Sequence, residues 1–370
     1  MNQRPSGYEP DELPDCSTPH QGAAEADARN SLVVANVSRA TNGRFDSTSL
    51  SAKAYKGVVY PGDNNQDSRG SRDLKLPSLS IPEQPSKTKA PNVPSNPFQR
   101  EIDVASELAR EGGLLALKYR NGDLAVEMKP GDEPVTVADK ASSALIVKGL
   151  EKAFPEDVII SEENADDLRR LKAERVWYVD PIDGTKDYIR GESGFCVMIG
   201  LAIEHRPQVG VVYGPATETL YWGAPGHGAW MKPDGEQAIS ISVSNRNDTK
   251  NIKLIASKSH RNATIDKVKA ALAIQDEQNM GSIGLKLATI AVGERDLYVN
   301  PTSRCSSWDT CGPEAILVAA GGRMSDIHGE LLRYDADKTH HPKGLLASNS
   351  QLHDHAVQKV SPLFPSLDSL

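Results

Sequence analysis

Apolar residues recur at helical spacing from Phe98 to Tyr119, where Ile102, Ala105, Leu108, Ala109, Leu115 and Ala116 fall near one face and predict an amphipathic helix. A second helix is predicted to open around Thr136 and to run through Ala144, Leu145, Val147 and Leu150 to Phe154. Val158 to Ser161 has the short apolar run of a buried strand and leads into Glu162-Glu163-Asn164. Charged residues from Asp166 to Arg175 predict an exposed helix or loop. A β-prone run, Val176 to Val179, then ends in Asp180-Pro181-Ile182-Asp183-Gly184-Thr185. Three further runs, Phe195–Ile203, Val209–Tyr213 and Thr219–Trp222, are joined by short turns and predict an antiparallel meander. Beyond Asn251 the pattern alternates. A strand at Lys253–Ser257 is followed by helices at Ala263–Ile274 and Ile283–Val292, a strand at Leu297–Asn300, and a helix from Asp309 to Ala320 closed by Gly321-Gly322. Antiparallel strands with interleaved helices predict layered α and β rather than a simple parallel sheet, and no internal repeat is evident.

The first 97 residues differ from the rest. They hold 11 of the 24 prolines and no Trp, with Ser/Asn/Asp/Gly-rich runs and no apolar period beyond Leu32 to Val37. Such a segment buries too little surface to offset its ordering entropy, so residues 1–97 are expected to be a low-complexity, disordered tail. Residues 98–370 form the expected folded domain, with one half at about 98–245 and another at about 246–355. Glu9, Asp11, Glu12 and Asp15 argue against a targeting peptide, and no run approaches the roughly 18 apolar residues that span a bilayer. A soluble protein is therefore expected, with no membrane partner.

The net charge is −8, from 42 basic and 50 acidic residues, and the tail carries 11 of each, so the whole excess lies in the folded part. That balance argues against tracking a nucleic-acid backbone but permits a small anionic substrate once cations reverse the local field. Cys16, Cys196, Cys305 and Cys311 have no paired metal or redox spacing, which fits a reduced, cytoplasmic setting.

Candidate chemistry gathers at acidic positions near element ends: Asp139, Glu162, the pair Asp180/Asp183, and Asp309. Carboxylates at the ends of neighbouring strands and helices converge on one cleft, where they repel one another unless cations intervene. Oxygen-only donors suit Mg²⁺ or Mn²⁺. Each position also has a structural reading. Thr136-x-x-Asp139 fits a helix capping box, Glu162-Glu163 a solvated turn, Asp180 to Gly184 an acidic turn, and Asp309 a first-turn residue.

Four segments in order are Thr-Val-Ala-Asp (136–139), Ile-Ser-Glu-Glu-Asn (160–164), Asp-Pro-Ile-Asp-Gly-Thr-Lys-Asp-Tyr (180–188) and Trp-Asp-Thr-Cys-Gly-Pro-Glu-Ala-Ile (308–316). Together they resemble the lithium-sensitive, Mg²⁺-dependent phosphatase superfamily that includes inositol monophosphatases and 3′(2′),5′-bisphosphate nucleotidases. The likeness covers roughly residues 98 to 355 and departs at Ser161, where many members carry Gly. It implies an α+β fold, a layered αβαβα sandwich of the sugar/inositol phosphatase type. It implies two or three Mg²⁺ ions, with Mn²⁺ as a substitute. One ion would be held by Glu162, Asp180 and the carbonyl of Ile182, and a second by Asp180, Asp183 and Asp309. By the same resemblance Asp139 and Thr185 orient and deprotonate the attacking water, and the N–H groups of Gly184 and Thr185 hold phosphate oxygens.

Three details resemble the bisphosphate nucleotidase branch, which acts in sulfur assimilation: Lys186-Asp187-Tyr188 after Gly-Thr, Ser257-Lys258-Ser259-His260, and Gly281-Ser282 followed by Lys286. They imply that Ser257, His260, Ser282 and Lys286, with Asp309, contact a nucleotide substrate, adenosine 3′,5′-bisphosphate giving AMP and phosphate. The alternatives are an inositol monophosphatase, an inositol polyphosphate 1-phosphatase or a sugar-bisphosphate phosphatase. Outside catalysis stand a nucleotide or metal sensor on the same fold and a scaffold that works through its tail. Monomer and homodimer both remain open. A chain starting at Asn96 is expected to keep the thermal midpoint and turnover of the full chain, measured by thermal denaturation and phosphate release. Loss of either would give the tail a part in the domain.

Overall fold

The computed structural model describes residues 96–122, 125–129, 133–259 and 263–365; the expectations for the tail lie, except at Asn96 and Pro97, outside the described residues. The first helix, α1 (Gln99–Arg120), buries Ile102, Ala105, Leu108, Ala109 and Ala116 along the predicted stripe. Asn96 starts it, its side chain accepting from Phe98 N at 3.0 Å. A short hairpin, β1 (Glu127–Lys129) with β2 (Glu133–Val135), leads to α2 (Val137–Ala153), which Thr136 caps.

Seven strands form the larger sheet: β3 (Val158–Ser161), β4 (Arg175–Asp183), β5 (Cys196–Ile203), β6 (Arg206–Gly214), β7 (Thr219–Ala224), β8 (Gly228–Pro233) and β9 (Ile239–Ile241). They lie in sequence order, with β3 and β4 parallel and the rest antiparallel. Period-two alternation decides what each face buries. On β5, Val197, Ile199 and Leu201 face the cluster beneath α1 and α2, while Cys196, Met198 and Ala202 face the opposite core. The predicted meander thus carries two more strands, β8 and β9.

The smaller sheet runs β11-β10-β12-β14-β13, with β10 (Lys253–Ser257), β11 (Asp276–Met280), β12 (Leu297–Asn300), β13 (Gly322–Ser325) and β14 (Leu345–Asn349). The helices of this region are α4 (Ala263–Leu272), α5 (Ile283–Ala291), α6 (Ser307–Ala319) and α7 (Ser350–Val360), after a single-turn α3 (Thr185–Ile189) that follows β4. α5 and α6 touch strands of both sheets, α1 and α2 cover the far face of the larger sheet, and α4 and α7 pack with the far face of the smaller one. The layers are therefore α, β, α, β, α, as the resemblance implies.

Some expectations are corrected. Asp180 to Asp183 do not leave the sheet: β4 continues through them. The charged stretch 166–175 is not all exposed, because the Arg170 side chain is buried and donates to Asp166 and to the carbonyls of Ala336 and Asp337. The strand β11 escapes prediction because Asp276-Glu-Gln-Asn279 is polar and pairs only with β10, so no apolar alternation is required of it.

The seat of α6 governs where the chemistry lies. Gly200 pairs with Gly210 and Gly210 with Gly223, which makes a row of glycines across three strands. A Cβ on Gly210 would stand 1.9 Å from the Gly312 carbonyl oxygen, and one on Gly200 2.4 Å from Gly312 N. The helix backbone rests directly on the sheet backbone there. Gly210→Ala is expected to lift α6 and cost about 1–3 kcal/mol by overpacking, a fall of roughly 2–12 °C in thermal midpoint. Thermal denaturation checks this, and an unchanged midpoint would mean that α6 can shift freely.

Candidate active site

A cleft of about 560 Å³ opens where β3, β4, α3, α5 and α6 meet, and its walls include Glu162, Asp180, Asp183, Thr185, Lys286 and Asp309. In a regular strand Asp180 and Asp183, three positions apart, would point to opposite faces. The pairing slips between them: Asp180 opposes Met198 and Asp183 opposes Cys196, so three steps on β4 match two on β5. This bulge turns both carboxylates to the same face, and Pro181, which has no N–H to give, sits within it.

Each acidic side chain is anchored by a local donor. Asp180 Oδ1 accepts from Ile182 N at 3.0 Å. Asp183 Oδ2 accepts from Ser282 Oγ at 2.6 Å and from Gly284 N at 2.8 Å, both at the start of α5. Asp309 Oδ2 accepts from Ser306 N at 2.7 Å, and Asp139 Oδ2 from Thr136 N at 2.8 Å. The helix-start reading of these two residues thus holds. A carboxylate that satisfies a helix start through one oxygen is fixed in direction, and Asp309 is so fixed while lining the cleft. Glu162 follows β3, its N–H extending the ladder to Val179 O, and Lys129 Nζ donates to its Oε1 at 2.8 Å and to Glu163 at 2.6 Å.

Burial is the main force on these groups, and mutual repulsion adds to it. Asp180 is held well above the ordinary carboxylate range by burial and by Glu162, Asp183, Asp309 and Asp139 around it. Burial and Asp183 raise Asp309, and burial raises Asp183 against the pull of Lys286. Burial pushes Glu162 up to about 7, although Lys129 works the other way. Among the described residues no three acidic, His or Cys side chains already close as one ion's shell. The donors nonetheless fit a hard divalent cation: all are oxygens, and their shared charge is unfavourable until a cation is among them.

Gly184 turns the chain from β4 into α3 with φ of 92°, a left-handed conformation, and a Cβ there would lie 2.6 Å from Gly194 O. The turn brings Thr185 Oγ1 to 3.4 Å from Asp139 Oδ1 and 3.0 Å from the Ile182 carbonyl.

The remaining residues singled out in the sequence are placed unevenly. Ile182, Gly184, Ser257 and Lys286 line the cleft. His260 lies outside the described residues. Ser282 is fully buried behind Asp183 and caps α5, its Oγ accepting from Leu285 N at 3.0 Å. Lys286 Nζ donates to Gly281 O at 2.8 Å and stands 5.0 Å from the centre of the Tyr298 ring; burial brings it down to about 8. Sequence reasoning missed Lys129, although Pro-Gly-Asp between two short runs was a hairpin signal. It also missed Arg304, which no motif contains.

Ser282→Ala is expected to remove a helix cap, about 0.5–2 kcal/mol, and to loosen Asp183. Turnover should fall while KM holds, measured by initial rates and thermal denaturation. A raised KM with unchanged kcat would instead make Ser282 a substrate contact.

The profile of the inositol monophosphatase family matches residues 99–363. Among curated proteins, the 3′(2′),5′-bisphosphate nucleotidase CysQ of Salmonella typhimurium is 35% identical over 240 residues, 63% of this chain and 93% of that protein. Inositol monophosphatase 3 of Solanum lycopersicum is 30% identical over 269 residues, 70% of this chain and 96% of that protein. Among solved structures, the inositol monophosphatase of Anabaena superposes with a TM-score of 0.56 at 29% identity, covering 74% of this chain and 99% of its own. That of Thermotoga maritima gives 0.61 at 26% identity, covering 72% and 99%. This chain belongs to the inositol monophosphatase family of phosphatases.

Proposed function

We propose that this chain is a Mg²⁺-dependent phosphomonoesterase that removes the 3′-phosphate of adenosine 3′,5′-bisphosphate, leaving AMP and phosphate. The observation that carries the hydrolytic reading is the gathering of Glu162, Asp180, Asp183 and Asp309 on one cleft beside the Thr185–Asp139 pair. The nucleotide reading is supported by the relative named 3′(2′),5′-bisphosphate nucleotidase and by Lys186-Asp187-Tyr188 after Gly184-Thr185. An inositol phosphate is the second reading, favoured by the tomato relative and by the structurally similar inositol monophosphatases of Anabaena and Thermotoga maritima.

The family is generally Mg²⁺-dependent. In this proposal Glu162, Asp180, the Ile182 carbonyl, Asp183 and Asp309 would hold two ions, with Asp139 near a third. Bound Mg²⁺ would neutralise phosphoryl charge and ease ionisation of the attacking water. The chain's own residues do the rest. Ser282, Gly284, Ser306 and the Ile182 N–H fix the carboxylates in direction before substrate arrives. The Thr185 hydroxyl has one proton and two acceptors within reach, Asp139 Oδ1 and the Ile182 carbonyl. When it donates to Asp139, its lone pairs face the water and can receive that water's proton, passing its own to the carboxylate. Burial raises the pKa of Asp139, which makes it a better final acceptor. The water oxygen then forms the new P–O bond, the bond to the 3′-oxygen breaks, the leaving oxygen takes a proton from solvent water, and Asp139 returns its own proton to solvent.

Thr185→Val should lower kcat by about 10²–10⁴-fold, since the relay group is lost. Asp180→Asn should abolish turnover yet keep or raise the thermal midpoint, because one buried repulsive charge disappears. Chelation should stop turnover, and Mg²⁺ at about 100 times its Kd should restore it and add about 2.7 kcal/mol of stability. A phosphate-release assay across adenosine 3′,5′-bisphosphate, inositol 1-phosphate and fructose 1,6-bisphosphate tests the substrate. Preference for inositol 1-phosphate would replace the first reading with the second, and metal-independent turnover would overturn both.

A further inference from the structure

Among the described residues, three cations line the cleft: Lys186, Lys286 and Arg304. Lys286 is almost wholly buried, donates to the Gly281 carbonyl and sits against Tyr298. Nearby Lys258 is tied to Glu192. Lys186 and Arg304 differ from both. Neither makes an ion pair or side-chain hydrogen bond with any described residue, although five carboxylates line the same cleft: Glu162, Asp180, Asp183, Asp187 and Asp309. Both therefore line the cleft with their charge unspent on any described residue.

Their backbones are held even though their side chains are free. Arg304 is exposed but precedes buried Cys305, whose carbonyl accepts from His341 N at 2.7 Å, and Ser307 N is tied to Thr339 O at 2.7 Å. Lys186 precedes buried Asp187 and Tyr188, and the Tyr188 hydroxyl donates to Ala116 O at 2.7 Å. One cation comes from α3 and the other from the connection between β12 and α6, so they approach from two elements. A fixed base with an unspent charge at its tip suits a ligand anion, since little ordering remains to be done when it arrives. Arg adds a planar fork that matches two phosphate oxygens.

The geometry points to Lys186 and Arg304 as the residues that read a second anionic group of the substrate, a phosphate or sulfate distinct from the one hydrolysed. This deepens the proposed function and rests on it: the carboxylates handle the scissile phosphate, and these two cations select substrates with another charge. In this proposal Lys286, which the sequence suggests for that task, spends its ammonium on the Gly281 carbonyl and lends its charge to Asp183.

The test compares adenosine 3′,5′-bisphosphate with adenosine 3′-phosphate, which differ only in the second phosphate. Arg304→Gln and Lys186→Gln are each expected to raise KM for the bisphosphate about tenfold or more relative to the monophosphate. Arg304→Lys should recover part of that selectivity, and thermal denaturation should show all three variants folded. Equal KM changes on both compounds, or none on either, overturn the inference. If the unmodified enzyme cleaves neither nucleotide but does cleave inositol phosphates, the nucleotide reading fails. The same criterion then applies to inositol 1,4-bisphosphate against inositol 1-phosphate, where a selective loss upholds Lys186 and Arg304 and an equal change overturns them.

Discussion

Like charges held together out of water are the constraint around which this molecule is arranged. Burial raises the proton affinity of Asp180, Asp183, Asp309 and Glu162, and the charges of their acidic neighbours raise Asp180, Asp309 and Glu162 further. Left to themselves such side chains would swing apart or take up protons. Here they cannot swing, because each is bonded to a backbone N–H or a neighbouring side chain before any cation is considered. The fold keeps an unfavourable cluster in place, and its favourable use is to receive positive charge.

That arrangement depends on close contact between layers. α6 carries Asp309 at its start and lies on a row of glycines formed by Gly200, Gly210 and Gly223. Any side chain in the row would raise the helix and move Asp309 away from β4. At the other end of the site, the extra residue in β4 between Asp180 and Asp183 turns one carboxylate to join the other. A bulge and a glycine row, both backbone features, thus bring side chains from separate layers to one place. Farther from the cleft, the buried network of Thr310, Tyr334, Glu314 and Arg206 ties α6 to the strand and loop behind it. In that network Glu314 is deeply buried but has both a guanidinium and a phenol as partners, so its charge is compensated where the cleft carboxylates are not.

The cleft lining carries both signs of charge: five carboxylates, and Lys186 and Arg304, which have no side-chain partner among the described residues. In the proposed function a substrate with two anionic groups would meet the carboxylates through a cation and these two side chains directly. That reading joins the proposed divalent ions to the proposed choice of substrate.

By itself the sequence determined the helices at Gln99–Arg120 and Val137–Ala153, the strands at Val158–Ser161, Lys253–Ser257 and Leu297–Asn300, and the ordered motifs that identify the family. These were readable because apolar period and capping residues are local signals. Polar β11 and the strands and helix after Gly321 were not, since their stability comes from neighbours distant in sequence, and the hairpin bearing Lys129, though local, has strands too short and polar to show an apolar period. The motifs named the acidic residues but not their directions. Only the tertiary structure decided that Asp180 and Asp183 share a face, that Ser282 turns inward to Asp183 and that Lys286 bonds to a carbonyl. It also left Arg304, in no motif, at the cleft wall with no side-chain partner among the described residues. Direction and partnership are set by register slips and packing between layers, and neither is written in the spacing of residues along one chain.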